Sequence, residues 1–204
     1  MLFEDHYRTI AAAAEGLFKD KGSKFIAYAY PITSESEVKG LIANLRTGHA
    51  KARHFCWAFR ISPDRSIFRL NDDGEPSGTA GRPILNSLLS ADLTNILVVV
   101  VRYFGGTLLG VPGLINAYKM STQDALNNAV RIEKTVNDIY RISFPYLQMN
   151  EVMKVIKEDH IEVRAQKFDE HCELQIEIRK SKLNQILARF ENLDEVKTSY
   201  ITTV

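Results

Sequence analysis

Three carboxylates, Asp72, Asp73 and Glu75, fall within four positions of the stretch NDDGEPSGTAGRPIL (Asn71–Leu85), together with the hydroxyls Ser77 and Thr79 and the guanidinium of Arg82. Carboxylates this close can share a cation, divide acid and base roles, or accept hydrogen bonds that hold a backbone in shape. The stretch lacks the carboxylate spacing and twelfth-position Glu of an EF-hand. Ser77 lies in GEPSG, which is not the GxSxG elbow of a serine hydrolase. The Gly and Pro positions specify backbone shape, so a structured loop is expected. Arg82 either pairs with a carboxylate of the loop or meets an external anion.

A second group is HAKARHFC, with His49, Lys51, Arg53, His54 and Cys56. On a strand, His54 and Cys56 share a face, the arrangement of a thiol beside its base. No third orienting group is evident, and Cys56 is equally a small core residue. With Asp72 and Glu75, these two are the catalytic candidates. The third group is RYFGGTLLGVPG, where Arg102, Tyr103, Gly105, Gly106 and Gly110 run from a buried strand toward a helix. A helix N-terminus attracts anions through its unpaired N–H groups. The segment is neither a P-loop, since Val-Pro follows where Lys-Ser/Thr is needed, nor a GxGxxG turn. A tight turn needing positive φ explains the same glycines. The aromatic stripe Tyr28, Tyr30, Phe55, Trp57 and Phe59 has strand spacing and suits a core better than a base-stacking platform.

These groups need a frame. AEGLFKDKGSKFIAYAYPI predicts two strands around DKGS, and HFCWAFRI with SIFRLND predicts two more. SESEVKGLIANLRTG predicts a helix with a capping box at Ser34 and Glu37. A further helix is expected near Pro83–Leu89. ILVVVV has no polar face and reads as a central buried strand, and PGLINAYKMSTQDALNNAV as a long helix with Pro112 in its first turn. RIEKTVN reads as a short connection. The remainder alternates in the order β-α-β-β-α-β, with Ser181 as an N-cap, the pattern of a ferredoxin-like domain. The expected class is α+β in two domains, 1–134 and 137–204.

The chain has 204 residues and 45% hydrophobic content, enough for a core. Net charge is +1: residues 1–136 carry 16 Lys plus Arg against 13 Asp plus Glu, and the rest 10 against 12. This is not the footprint of a strongly basic nucleic-acid binder. Two distant cysteines, Cys56 and Cys172, argue for a reducing compartment and against a disulfide framework or zinc knuckle. The apolar run Ile96–Val101 is too short to span a bilayer, and MLFEDHYRTI lacks signal-peptide character. A cytoplasmic protein with no membrane, metal or cofactor is expected.

DDGEPSGTAGRPIL, followed by VVVVRYFGGTLLG, resembles the IMPACT/YigZ family, and GSKFIAYAYPI and HFCWAFR match its pattern too. The resemblance covers nearly the whole chain. It implies a first domain folded like the second domain of ribosomal protein S5, and a last domain similar to the final domain of elongation factor G. It further implies a link to translational control, which eukaryotic members exert by competing for an activator of a starvation-responsive kinase. Phe55 stands where the family usually has Asn, and Asn116 where it often has Lys or Arg.

The leading expectation is a non-enzymatic protein that binds RNA, the ribosome or a translation factor. Its ligand-binding surface would use Asp72, Asp73, Glu75, Ser77, Thr79, Arg82, Arg102, Tyr103, Gly105, Gly106 and Gly110, with Arg82 and Arg102 on phosphates. The second is a hydrolase-type enzyme for a small phosphorylated or peptide-like ligand, built on His54, Cys56, Asp72 and Glu75. The third is a protein–protein adaptor that offers the sheet of its C-terminal domain.

Overall fold

A strand that is apolar at every position has no solvent face to offer, so it must lie inside a sheet covered on both sides. The first six residues of Ile96–Tyr103 are such a run, and all six are buried, as is Arg102 after them. The computed structural model describes residues 5–169 and 171–204. The chain divides into two compact units, one of Tyr7–Lys134 and one of Thr135–Val204 with the described part of Met1–His6.

The first unit runs β1 (His6–Ile10), β2 (Ala14–Asp20), β3 (Ser23–Pro31), α1 (Ser36–Gly48), β4 (His54–Ile61), β5 (Ile67–Asn71), α2 (Gly81–Ser90), β6 (Ile96–Tyr103), α3 (Gly110–Asn128) and β7 (Arg131–Thr135). Five strands form an antiparallel sheet in the order β2-β3-β6-β4-β5. The period of two sorts each strand between faces. Phe25, Ala27, Ala29, Cys56, Ala58, Val98 and Val100 meet α2 and α3 through Ile84, Leu88, Leu114, Ala117 and Tyr118. Phe55, Phe59, Leu97, Val99 and Val101 form the opposite core, with Val38 and Leu45 of α1.

The start of α1 shows half of the expected capping box. Glu37 Oε1 accepts the backbone N–H groups of Thr33 and Ser34, each at 2.9 Å. Ser34 Oγ instead accepts from Ser36 N at 3.2 Å. RIEKT differs from its reading as a connection: it is β7, which pairs with β1 in a two-stranded sheet.

The second unit runs β8 (Asn137–Pro145), α4 (Met149–Glu158), β9 (Glu162–Lys167), β10 (His171–Arg179), α5 (Leu183–Glu191) and β11 (Lys197–Thr203), with 3₁₀ turns before each helix. Its antiparallel sheet has the order β11-β8-β10-β9. Ile142, Phe144, Leu174, Ile176 and Ile178 pack with Val152, Ile156, Ile186 and Phe190 of the helices. The opposite sheet face is polar, with Arg141 near Glu173 and Arg164 bonded to Glu177. Clustered apolar side chains, which the adaptor reading asked of this sheet, are not what this face carries. Ser181 is not an N-cap. It lies in the turn Lys180–Lys182 beside Asp5, whose carboxylate takes Arg179 Nε at 2.6 Å. Of the turn DEH, Glu170 lies outside the described residues.

Candidate functional site

The carboxylates of the loop between β5 and α2 each have a separate internal task. Asp72 crosses the loop: Oδ2 accepts Gly78 N at 2.9 Å, and Oδ1 accepts Ala80 N at 3.1 Å and Gly81 N at 2.8 Å. The first donors of α2 are therefore satisfied by a residue nine positions upstream. A charged acceptor there also complements the helix dipole. Asp73 has φ +41° and points toward α1. It accepts Phe55 N at 2.7 Å and holds the guanidinium of Arg46, with NH2 at 2.8 and 2.9 Å from its oxygens. Arg46 in turn lies 4.5 Å from the centre of the Phe55 ring, so Phe55 is one wall of this clamp.

Glu75 turns inward. Its side chain is 3% exposed and meets Arg102, itself 7% exposed, at 2.6 Å. The same oxygen accepts the Tyr118 hydroxyl at 2.7 Å. Cys56 Sγ in turn lies 3.3 Å from the Tyr118 hydroxyl oxygen and 3.0 Å from Asp72 O, two acceptors within reach of its single thiol proton. A chain of contacts thus runs Cys56–Tyr118–Glu75–Arg102 beneath the loop. Burial pushes the Cys56 thiol and the Tyr118 phenol well above their usual ranges, and the carboxylates nearby act in the same direction. Both stay protonated at neutral pH. An activated thiol needs the opposite shift.

His54 and Cys56 share a face, as the strand spacing requires, and each contacts the loop separately. His54 Nδ1 lies 2.9 Å from the Asp73 carbonyl, which can only accept, so Nδ1 carries a proton. The two side chains serve as parallel ties from β4 to the loop, not as a base and its nucleophile. Thr79 is buried, and its hydroxyl donates to Pro76 O at 2.7 Å. Ser77 is exposed. Among the described residues, no group of three His, Cys, Asp or Glu side chains is placed to hold a metal ion.

Arg102 is a correction to the expected surface. A buried guanidinium paired with Glu75, and lying within 6 Å of the Phe25 and Phe104 rings, does not meet an outside phosphate. Tyr103, the next residue, necessarily points to the other face of the sheet. Its hydroxyl meets His49 Nδ1 at 2.8 Å, and His49 Nε2 meets Tyr28 OH at 2.9 Å. Gly105 is needed for a close approach, though not to a ligand. A Cβ there would stand 1.9 Å from the Gly22 carbonyl carbon, and Gly105 N bonds Ser23 Oγ at 3.1 Å. Gly106 and Gly110 supply positive φ, +90° and +71°.

Arg82 remains exposed. It lies in a groove of about 330 Å³ between α2 and α3, together with Asn86, Ser90, Ile115, Lys119 and Gln123. The exposed apolar residues Phe104, Leu108 and Val111 belong to the turn before α3 and its first residues. The sequence reading missed Tyr118 and Arg46. The signal for Tyr118 lay in its helical face: Leu114, Ala117, Tyr118 and Ser121 share one stripe, and a buried tyrosine needs a partner for its hydroxyl.

Comparison with known proteins places this loop and turn in a family. Residues 21–126 match the model of the Impact N-terminal domain. The IMPACT family member YvyE of Bacillus subtilis is 32% identical over 178 residues, which cover 87% of this chain and 82% of that protein. The IMPACT family member YigZ of Escherichia coli is 36% identical over 131 residues, 63% of this chain and 64% of its own. A crystal structure described as that of a hypothetical protein superposes with a TM-score of 0.77 at 27% identity, over 98% of this chain and 99% of that one. With that motif-bearing unit matched and a relative aligned over most of its length, the chain belongs to the IMPACT family.

Proposed function

We propose that this protein is a non-enzymatic binding protein of the translation machinery, which takes RNA, the ribosome or a translation factor on the α2–α3 side of its first unit. One observation carries the reading: the groups best suited to chemistry are already committed to one another. Glu75 is neutralised by Arg102, Asp72 caps α2, Asp73 holds Arg46, and Cys56 is a buried protonated donor. A general acid or nucleophile needs access to substrate and a matched pKa. A shaped, rigid loop beside an exposed arginine suits recognition instead. Family membership supports the link to translation, which the eukaryotic members suggest. On this reading the first unit has the S5 domain 2-like arrangement and the second the ferredoxin-like one, in a cytoplasmic protein.

Co-sedimentation with ribosomes at low and high salt tests the proposal. Binding that Arg82→Glu weakens is the expected result. A protein left in the supernatant at both salt concentrations overturns it.

A further inference from the structure

The groove between α2 and α3 has a definite composition. On α2, Arg82, Asn86 and Ser90 follow one another at four-residue steps. On α3, Ile115, Lys119 and Gln123 do the same. Residues four apart stand one above the other on a helix, so two parallel rows face the groove. Pro83 and Ser87 also line it, and both are buried. Extending the α3 row backward reaches Val111, and Leu108 lies in the turn that leads into the helix, outside the groove lining. These are 52% and 81% exposed, and Ile115 is 39% exposed.

The charge in the groove is uncompensated. Arg82 and Lys119 make no ion pair with any described residue, and no acidic side chain lines the groove. Three other exposed arginines of this unit are paired, Arg46 with Asp73, Arg69 with Glu35 and Arg8 with Glu133, while Arg53 and Arg131, like Arg82, have no acidic partner among the described residues. One end of the site is therefore aliphatic, the middle cationic, and the far end a set of amides and hydroxyls.

This combination discriminates between occupants. Nucleic acid is held by many cations at once, and single strands also need aromatic platforms. The groove has two cations and no aromatic lining, and the one exposed aromatic of the neighbouring turn is Phe104. Contiguous exposed aliphatic residues beside a groove instead mark a protein contact, and an amphipathic helix anchors in such a groove through residues at i, i+3, i+4 and i+7. The unpaired cations select acidic residues on that helix.

We propose that the α2–α3 groove docks an acidic amphipathic helix of a partner protein. Its aliphatic residues pack on Leu108, Val111 and Ile115, and its carboxylates pair with Arg82 and Lys119. The inference rests on the binding-protein reading above and names the partner class: a protein surface and not RNA.

The test places the photo-crosslinking residue p-benzoylphenylalanine at Asn86 in the full chain, in an extract of its native cells. A control carries it at Ile67, on β5. Irradiation followed by mass spectrometry reads the partner segment directly. The expected product from position 86 is a peptide rich in Asp, Glu and aliphatic residues, absent from position 67. Its yield falls about tenfold when Arg82→Glu and Lys119→Glu are added, because reversed charges repel the same carboxylates. An RNA adduct, a non-acidic peptide, no adduct, or a yield indifferent to the two reversals each overturns the proposal. Ribosome co-sedimentation of the same crosslinker variant keeps the two readings apart. If co-sedimentation persists while position 86 crosslinks only RNA, this inference falls and the broader reading stands.

Discussion

Arg102 and Glu75 meet at 2.6 Å inside the first unit, and the Tyr118 hydroxyl donates to the same carboxylate oxygen at 2.7 Å. Arg102 Nε is buried with no described partner, so the guanidinium is only partly satisfied. Removing one member of such a pair strands a charge, whereas replacing both by apolar groups removes the desolvation cost as well. Glu75→Ala is expected to lose about 3–5 kcal/mol of stability. Glu75→Leu combined with Arg102→Met is expected to recover most of that loss. Urea denaturation of the three proteins checks it; a double variant as unstable as the single one argues against the pair being an isolated unit.

Asp72 bridges the loop to the first turn of α2. Asp72→Ala should cost about 1–2 kcal/mol, the range for a lost helix cap. Hydrogen exchange is the sharper readout. The amides of Gly78, Ala80 and Gly81 should lose protection, while those of β6 keep theirs.

Burial raises the Cys56 thiol and the Tyr118 phenol, so the folded chain resists losing either proton. Where the folded-state pKa exceeds the unfolded one, stability is fully present below the unfolded value and declines as pH rises past it. Unfolded cysteine titrates near 8.5 and tyrosine near 10. Stability should hold to about pH 8 and then fall, by up to about 1.4 kcal/mol per pH unit for each group once it ionises in the unfolded chain. Cys56→Ala should remove the first part of that slope. Thermal melts from pH 7 to 10 measure it. In the same range, a thiol reagent should find Cys56 unreactive until the protein is unfolded.

Gly105 and Gly106 offer a paired test of two different reasons for glycine. Gly105→Ala puts a Cβ into the backbone of Gly22, which cannot move aside as a side chain would. A loss of about 1–3 kcal/mol or more is expected. Gly106→Ala meets nothing within 4 Å and suffers only from its φ of +90°. Its cost should be smaller, about 1 kcal/mol. Equal losses would mean that the approach of the two turns is looser than described.

Much of the frame could be read from the chain because local chemistry and fold agree there. The run ILVVVV had no polar face to present, and it occupies the centre of the sheet. Glu37 reached back to Ser34 as its spacing predicts. The loop Asn71–Ala80 could be recognised as structured, but not the direction of each carboxylate. Nothing in the order Asp72, Asp73, Glu75 says that the third turns inward toward a helix more than 40 residues later. Arg102 shows the same limit: a strand-end arginine reads as exposed until its acidic partner is found in another segment. The pairing of β1 with β7 joins segments more than 120 residues apart, and β7 has little apolar character to announce it. Ser181 had the right type for a cap, yet it falls inside the turn that precedes α5.

The strand order β2-β3-β6-β4-β5 has a consequence for the chain as it is made. β3 and β4 are near neighbours in sequence, but neither pairs with the other; both wait for β6. Translation at about 5–20 residues per second leaves the end of β4 for roughly 2–8 s before Tyr103 is added. For that interval the inner edges of two apolar strands stay open, and unpaired strand edges invite association with other chains. The nascent polypeptide is then at its most vulnerable, and completion of β6 closes both edges in one step.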